Sequence, residues 1–286
     1  MTLLPQIVGL ALLLAGVWIC YRRWVLPRAS LDLQSRGLLT LLIVTLIGGG
    51  VGSPVWWADA PWAFSWDLPA LAGRMLAAAG WTFVVVCFLA LERPTPGRLR
   101  LVVWLLAVYL VPLVAVILLA HLDRFDFAAP VTYAFFVIAG GMSVAALWYL
   151  LRTPAITRNG PGTPASPSLA VRAWLGLVAA LTLIWGLALF ATEAGPLALI
   201  WVWPGDLLTS RLIGVMLLAI GVGAAVSLRE TDRARLMLAG TLTYGLGIAL
   251  ASLWGLLNGT PIRISYLTAF GIIFVGSAAL LLRERR

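Results

Sequence analysis

The chain has 286 residues, 62% of them hydrophobic and 11% charged, and its mean hydropathy is +1.01. Soluble domains are about half apolar and about a quarter charged, so this composition excludes an ordinary soluble protein. The net charge of +9 comes from 20 arginines with no lysine, and these flank hydrophobic segments instead of forming a soluble basic face, which argues against a nucleic-acid partner.

Hydrophobic segments of about 20 residues, long enough as helices to cross about 30 Å of hydrocarbon, follow one another along the chain. Each segment must satisfy its own backbone hydrogen bonds in lipid, and none alternates as a β-barrel strand does. The sequence therefore predicts an all-α integral membrane protein. In chain order, its nine predicted transmembrane helices are 3–20, 37–58, 69–91, 100–121, 130–151, 170–192, 207–228, 235–257 and 264–282.

The first segment differs from a cleaved signal peptide. A signal peptide carries its basic residues before the apolar core, whereas here Arg22, Arg23 and Arg28 follow it. We therefore expect residues 1–31 to form an uncleaved N-terminal transmembrane helix and a basic loop.

Arginine is distributed unevenly between alternate connections. Of the 20 arginines, 16 fall in the connections on one side, and only Arg74, Arg124, Arg211 and Arg263 fall on the other. The positive-inside rule places the first set in the cytoplasm beside anionic lipid headgroups, with the N-terminus outside and the C-terminus cytoplasmic. We expect a multi-pass protein of a bacterial cytoplasmic membrane.

A segment rich in Pro, Gly, Ser and Thr, residues 153–168, divides the chain and predicts a flexible cytoplasmic linker. Polar landmarks recur in the same order on its two sides. The matched pairs are Trp66 with Trp203 and Arg74 with Arg211 at an offset of 137, Arg98 with Arg233 and Tyr109 with Tyr244 at 135, and Tyr133 with Tyr266 at 133. They predict two tandem four-helix repeats, 32–152 and 169–286. Because each has an even number of helices, we expect the same orientation for both and a pseudo-two-fold axis along the membrane normal.

Each half places tryptophan, aspartate and arginine at the outer end of its second helix. The candidate ligand-binding residues are Arg74, Arg211, Asp67, Asp206, Trp66, Trp201 and Trp203. In one interpretation, the tryptophans form an interfacial belt, the aspartates cap helices, and the arginines extend to the headgroups. In a second, the arginines face a cavity and bind an anionic or aromatic group. In a third, each arginine forms a structural salt bridge with an aspartate.

Shorter motifs have structural interpretations. The pairs Gly48 with Gly52 and Gly247 with Ala251 have the spacing of close helix packing, and we expect them to serve it. His121 falls at the outer end of a span, where an interfacial polar residue is expected. The tyrosines that recur in the two halves are expected to form hydrogen bonds between helices.

The residue inventory limits the chemistry. A single histidine excludes a bis-histidine haem, and the absence of lysine excludes a retinal or pyridoxal phosphate Schiff base. We expect no cofactor and no metal site. The favoured hypothesis is binding or transport of a small solute, anionic or amphipathic, through an outward-facing cavity between the repeats. The alternatives are a structural or assembly subunit of a larger membrane complex and an enzyme acting at the outer face.

Overall fold

The structure is a computed structural model that describes residues 3–28, 30–60, 68–152, 154–157, 165–191, 207–260 and 262–284. Within these ranges the chain forms nine long α-helices and no strand. The helices are α1 Leu3–Trp24, α2 Leu33–Trp57, α3 Ala70–Glu92, α4 Pro96–Ala120, α5 Pro130–Leu151, α6 Leu169–Ala191, α7 Leu207–Val226, α8 Thr231–Leu257 and α9 Ile264–Arg283.

The helices have the length and composition of membrane spans. Among the described residues, the eight helices α2 to α9 are long and apolar enough to cross a membrane. The prediction of an all-α, multi-pass membrane protein is therefore confirmed. The first predicted span, 3–20, forms most of α1, which is not one of these eight.

Capping residues explain where α2 and α4 begin. The carboxylate of Asp32 accepts a hydrogen bond from the Ser35 N–H at 3.3 Å at the start of α2. The hydroxyl of Thr95 accepts one from the Arg98 N–H at 3.4 Å at the start of α4, where Pro96 occupies the first helical position. Such caps satisfy amides that have no partner within the helix.

Helix packing joins neighbours within each half of the chain and also crosses between the halves. Within the halves, α2 packs on α3, α4 on α5, α6 on α7, and α8 on α9. Across the halves, α3 packs on α8 and α4 packs on α7. The four helices α3, α4, α7 and α8 thus form the centre of the bundle, and α5 and α9 lie at its edges.

Close approach of α2 to α3 occurs through Gly49. A Cβ atom at Gly49 would lie 2.8 Å from the Gly80 carbonyl oxygen of α3. The prediction that Gly48 and Gly52 serve close helix packing is wrong: a Cβ at Gly48 would meet no atom within 4 Å, and one at Gly52 would meet Trp56 of the same helix. In a run of adjacent glycines, a shift of one residue turns the contact by about 100° around the helix.

Two further glycine contacts hold helices together at short range. The prediction for Gly247 is confirmed, because a Cβ there would lie 2.5 Å from the Ala78 Cβ across the α3–α8 contact. A Cβ at Gly186 of α6 would lie 2.9 Å from the Gly214 carbonyl oxygen of α7. Small residues permit this approach, and van der Waals packing is the main attraction between helices in lipid.

The arginine-dense connections meet at one end of the bundle, here termed the arginine-rich end. Glu92 at the end of α3 accepts hydrogen bonds from Arg23 Nη2 at 3.0 Å and Trp24 Nε1 at 3.1 Å. Arg235 of α8 forms a salt bridge with Glu284 at 3.5 Å. The opposite end, where α3 and α7 begin and α4 and α8 end, is termed the arginine-poor end.

The described parts of the predicted linker contact the arginine-rich end. The Ile156 N–H donates a hydrogen bond to Ser35 Oγ at 3.3 Å, and the Thr231 N–H donates one to the Ala165 carbonyl at 2.9 Å. Residues 158–164, the middle of the predicted linker, lie outside the described residues.

Candidate functional site

Arg74 lies inside the protein near the arginine-poor end of α3, and only 8% of its surface is exposed. Its Nη1 donates a hydrogen bond to the Ala70 carbonyl at 2.8 Å, which turns the side chain toward the N-terminus of its own helix. Its Cζ lies 3.3 Å from the ring centroid of Trp254 in α8. Because α3 and α8 come from different halves of the chain, this cation–π contact joins the halves, and such contacts reach about 2 kcal/mol when desolvated.

Within the described ranges, the guanidinium of Arg74 is incompletely paired. Its Nε is buried and has no hydrogen-bond partner among the described residues. Asp59 attracts it through a Coulomb interaction, but this exposed carboxylate forms no salt bridge with it within the described ranges. A buried donor without a partner costs about 1–3 kcal/mol, and more in a charged group.

Arg211 occupies the corresponding place in α7 and is half-buried. Its Nη1 lies 2.8 Å from His121 Nε2, and its Nε donates a hydrogen bond to the Phe190 carbonyl at 3.3 Å. An arginine has only donors, so His121 Nε2 is the acceptor and the ring proton lies on Nδ1. His121 directly follows α4, so this contact also joins the two halves.

His121 and Trp254 are the site residues that the sequence analysis missed. We expected an interfacial polar position for His121, whereas the residue is only 8% exposed. Trp254 was not singled out at all. The only signal in the sequence was position, because both residues lie near the arginine-poor ends of helices that correspond in the predicted repeats.

The structure describes only part of the predicted site. Arg74 and Arg211 are described, whereas the other five candidates lie outside the described residues: Trp66, Asp67, Trp201, Trp203 and Asp206. The three interpretations of the sequence therefore remain predictions for those residues. Each of the two described arginines contacts a residue of the other half of the chain.

An apolar cluster lies at the same end of the bundle and includes residues of both helices that carry the arginines. Its buried members, drawn from α3, α4, α7 and the loop after α4, are Leu76, Leu113, Ile117, Phe125, Leu208, Leu212 and Val215. Charged and polar contacts in such surroundings are stronger than in water, and unpaired groups are correspondingly costly.

The recurring tyrosines and the loop after α4 make other contacts. Tyr109 packs against Phe83 with ring centroids 5.3 Å apart, and Tyr244 packs against Phe270 at 5.7 Å. Tyr133, by contrast, is exposed. In the loop after α4, the Asp126 carboxylate accepts a hydrogen bond from the Ala128 N–H at 2.8 Å and so stabilises a turn.

Comparison of the chain with protein-family models, curated proteins and solved structures finds no match. The chemistry of the site rests on its own geometry. Two arginines, each in contact with a residue of the other half, place positive charge at the arginine-poor end of a helical membrane protein.

Proposed function

We propose that this multi-pass membrane protein binds a small anionic solute, a carboxylate or a phosphate, between its two halves at the arginine-poor end. The observation that carries the proposal is Arg74, a buried guanidinium whose Nε has no partner among the described residues. In native proteins, a buried polar group without a partner usually has one of three explanations: a bound ligand, a water molecule or stored strain. A charged side chain inside a membrane bundle is a functional candidate for the same reason.

The geometry of Arg74 specifies how an anion would bind. Nη1 is engaged by the Ala70 carbonyl, and Trp254 covers one face of the guanidinium. The edge formed by Nε and Nη2 is the one that binds two oxygens of a carboxylate or phosphate in parallel. The bound anion would then lie close to the N-terminus of α3, whose dipole also favours negative charge.

We propose further that 32–152 and 169–286 are tandem repeats related by an axis along the membrane normal. A pair of contacts across the halves supports this. Gly240 packs against Val86, and Gly223 packs against Leu105. Adding 137 to Val86 gives Gly223, and adding 135 to Leu105 gives Gly240, the same offsets found between the polar landmarks. Under the proposed repeat relation, the two contacts are images of each other.

The repeat relation also accounts for the two arginines. Arg74 reaches Trp254 near the end of α8, and Arg211 reaches His121 just after α4. The partners differ in chemistry, so we propose that Arg211 holds the halves together while Arg74 binds the solute. Transport would be a second step, since passage to the arginine-rich end requires separation of the close α3–α8 contact at Gly247.

The binding proposal is tested by adding inorganic phosphate and succinate to the purified protein in mild detergent. We expect one of them to raise the unfolding temperature and to change tryptophan fluorescence through Trp254. Arg74→Gln should abolish both effects, and Arg74→Lys, which keeps charge but loses the two-donor edge, should weaken binding about tenfold. Arg263→Gln removes one exposed charge from the same end and is the matched control.

Two results would contradict the proposal. One is the absence of any anion-dependent stabilisation in the wild-type protein. The other is an equal loss of binding in the Arg74 and Arg263 variants, which would indicate general surface attraction. Gel filtration and the unfolding temperature without anion separate loss of binding from loss of folding.

A second candidate is a structural subunit of a larger membrane complex. The observation that favours it is the close contact between α3 and α8, where Gly247 lies against Ala78 and leaves no gap. Purification in mild detergent with mass spectrometry distinguishes the candidates, because a subunit retains a protein partner in fixed ratio.

We also propose that the arginine-rich end faces the cytoplasm of a bacterial cell, as the positive-inside rule requires. In a background without native cysteines, an impermeant thiol reagent added to intact cells should label a cysteine at 259 and spare one at 160. Labelling at 160 alone would reverse the orientation.

A further inference from the structure

A shallow groove runs between α6 and α9 close to the arginine-rich end. It has a volume of about 460 Å³, and small or apolar side chains line it, among them Ala170, Ala173 and Leu177 of α6 and Ala279 of α9. Both helices lie on the outside of the bundle, where long apolar residues such as Leu177 are exposed.

The floor of the groove is fixed by hydrogen bonds. Trp174 Nε1 donates to Ser277 Oγ at 3.1 Å, and this hydroxyl lies 2.8 Å from Thr241 Oγ1 of α8. The indole packs on Gly276, where any larger residue would collide with it. The groove is therefore a formed feature that persists without an occupant, because its tryptophan cannot swing out without losing a buried hydrogen bond.

Among the described residues, Arg283 places a positive charge near the groove at the arginine-rich end. The groove residues of α9 include Gly276, Ala279 and Leu280, and Arg283 continues this face because residues three, four and seven apart share one side of a helix. Arg283 is exposed, and no described residue forms a salt bridge with it. The adjacent Glu284 is already paired with Arg235.

We propose that this groove binds one anionic phospholipid, with an acyl chain along its apolar wall and the phosphate on Arg283. Three properties point to a lipid. The groove opens sideways on membrane-spanning helices, its walls are apolar, and Arg283 lies beyond it on the same face of α9, where the headgroup layer begins. Basic pockets between helices at this end of membrane proteins bind anionic headgroups. The inference is independent of the solute site, which lies at the opposite end.

The test is native mass spectrometry of the intact protein, delipidated and then mixed with micelles containing equal amounts of phosphatidylglycerol and phosphatidylcholine. We expect one retained phosphatidylglycerol per protein. Arg283→Gln should reduce its retention about fivefold. Arg172→Gln is the matched control, because Arg172 is exposed at the same end but lies about 150° around α6 from the groove face.

A second pair of variants tests the acyl-chain contact separately from the charge. Ala279→Phe fills the groove and should remove the bound lipid, whereas Ala134→Phe adds the same bulk at an exposed alanine of α5, away from the groove, and should leave retention unchanged. Equal retention of the two lipids, or equal losses within either pair of variants, would overturn the proposal. So would a dimer that Ala279→Phe abolishes, because a second copy of the chain would then occupy the groove.

Discussion

The α3–α8 contact at Gly247 makes a quantitative prediction. In Gly247→Ala the new Cβ would lie 2.5 Å from the Ala78 Cβ and 3.1 Å from the Ala78 Cα. Carbon atoms in favourable contact are about 3.5–4.0 Å apart, so the two helices must separate by about 1 Å. The obstructing atoms belong to a helix backbone and its first side-chain carbon, which cannot rotate away.

The size of the effect follows from two opposing contributions. Overpacking of this kind costs about 1–3 kcal/mol. Replacing glycine by alanine in a helix returns up to about 1 kcal/mol. We therefore expect Gly247→Ala to lose about 1 kcal/mol of unfolding free energy.

Gly271→Ala is the matched control, because a Cβ at Gly271 in α9 would meet no atom within 4 Å. It keeps the gain in helix propensity without the collision, so the two variants should differ by about 2 kcal/mol. Reversible unfolding in mixed micelles with SDS, followed by circular dichroism, measures this difference. If Gly247→Ala is as stable as Gly271→Ala, the described α3–α8 packing is wrong.

Two further predictions concern other parts of the bundle. Both cysteines are free thiols, but Cys87 is buried and Cys20 is partly exposed. A maleimide should therefore modify Cys20 much faster than Cys87 in the folded protein, and it should modify both after unfolding. Equal rates in the folded protein would contradict the burial of Cys87. Arg98 and Asp232 form a salt bridge at 3.8 Å, and the aspartate side chain is 39% exposed. A double-mutant cycle with Arg98→Gln and Asp232→Asn should give a coupling free energy of about 0.5 kcal/mol. A coupling above about 2 kcal/mol would show a more buried pair.

Hydropathy predicted the helices well because every helix that crosses lipid needs an apolar stretch of about 20 residues. The predicted segment 130–151 coincides with α5, Pro130–Leu151, where a proline marks the first turn. The predicted segment 235–257 begins four residues later than α8, Thr231–Leu257. The first turn of α8 is polar and includes Asp232, which suits the positive end of a helix dipole and does not register as hydrophobic.

The arginines of the site could be found from sequence, but their partners could not. The apolar pattern sets the depth of Arg74 and Arg211 in the membrane. The two residues stand out because charge is scarce and because they are separated by the same offset as other matched residues. It does not specify the direction in which a side chain leaves the helix, or which helix lies in that direction. The contacts with Trp254 and His121 depend on the crossed packing of the two halves, a property of the assembled bundle.

The crossed packing also has a consequence for biosynthesis. Arg74 and Trp254 are 180 residues apart in the chain, and ribosomes add about 5–20 residues per second, so α3 waits roughly 10–35 s for its partner helix to emerge. During that time Arg74 has neither the indole of Trp254 nor the buried setting that α8 supplies. Insertion of α3 must therefore precede its assembly, and the nascent chain carries an unshielded arginine at its outer edge until α8 enters the membrane.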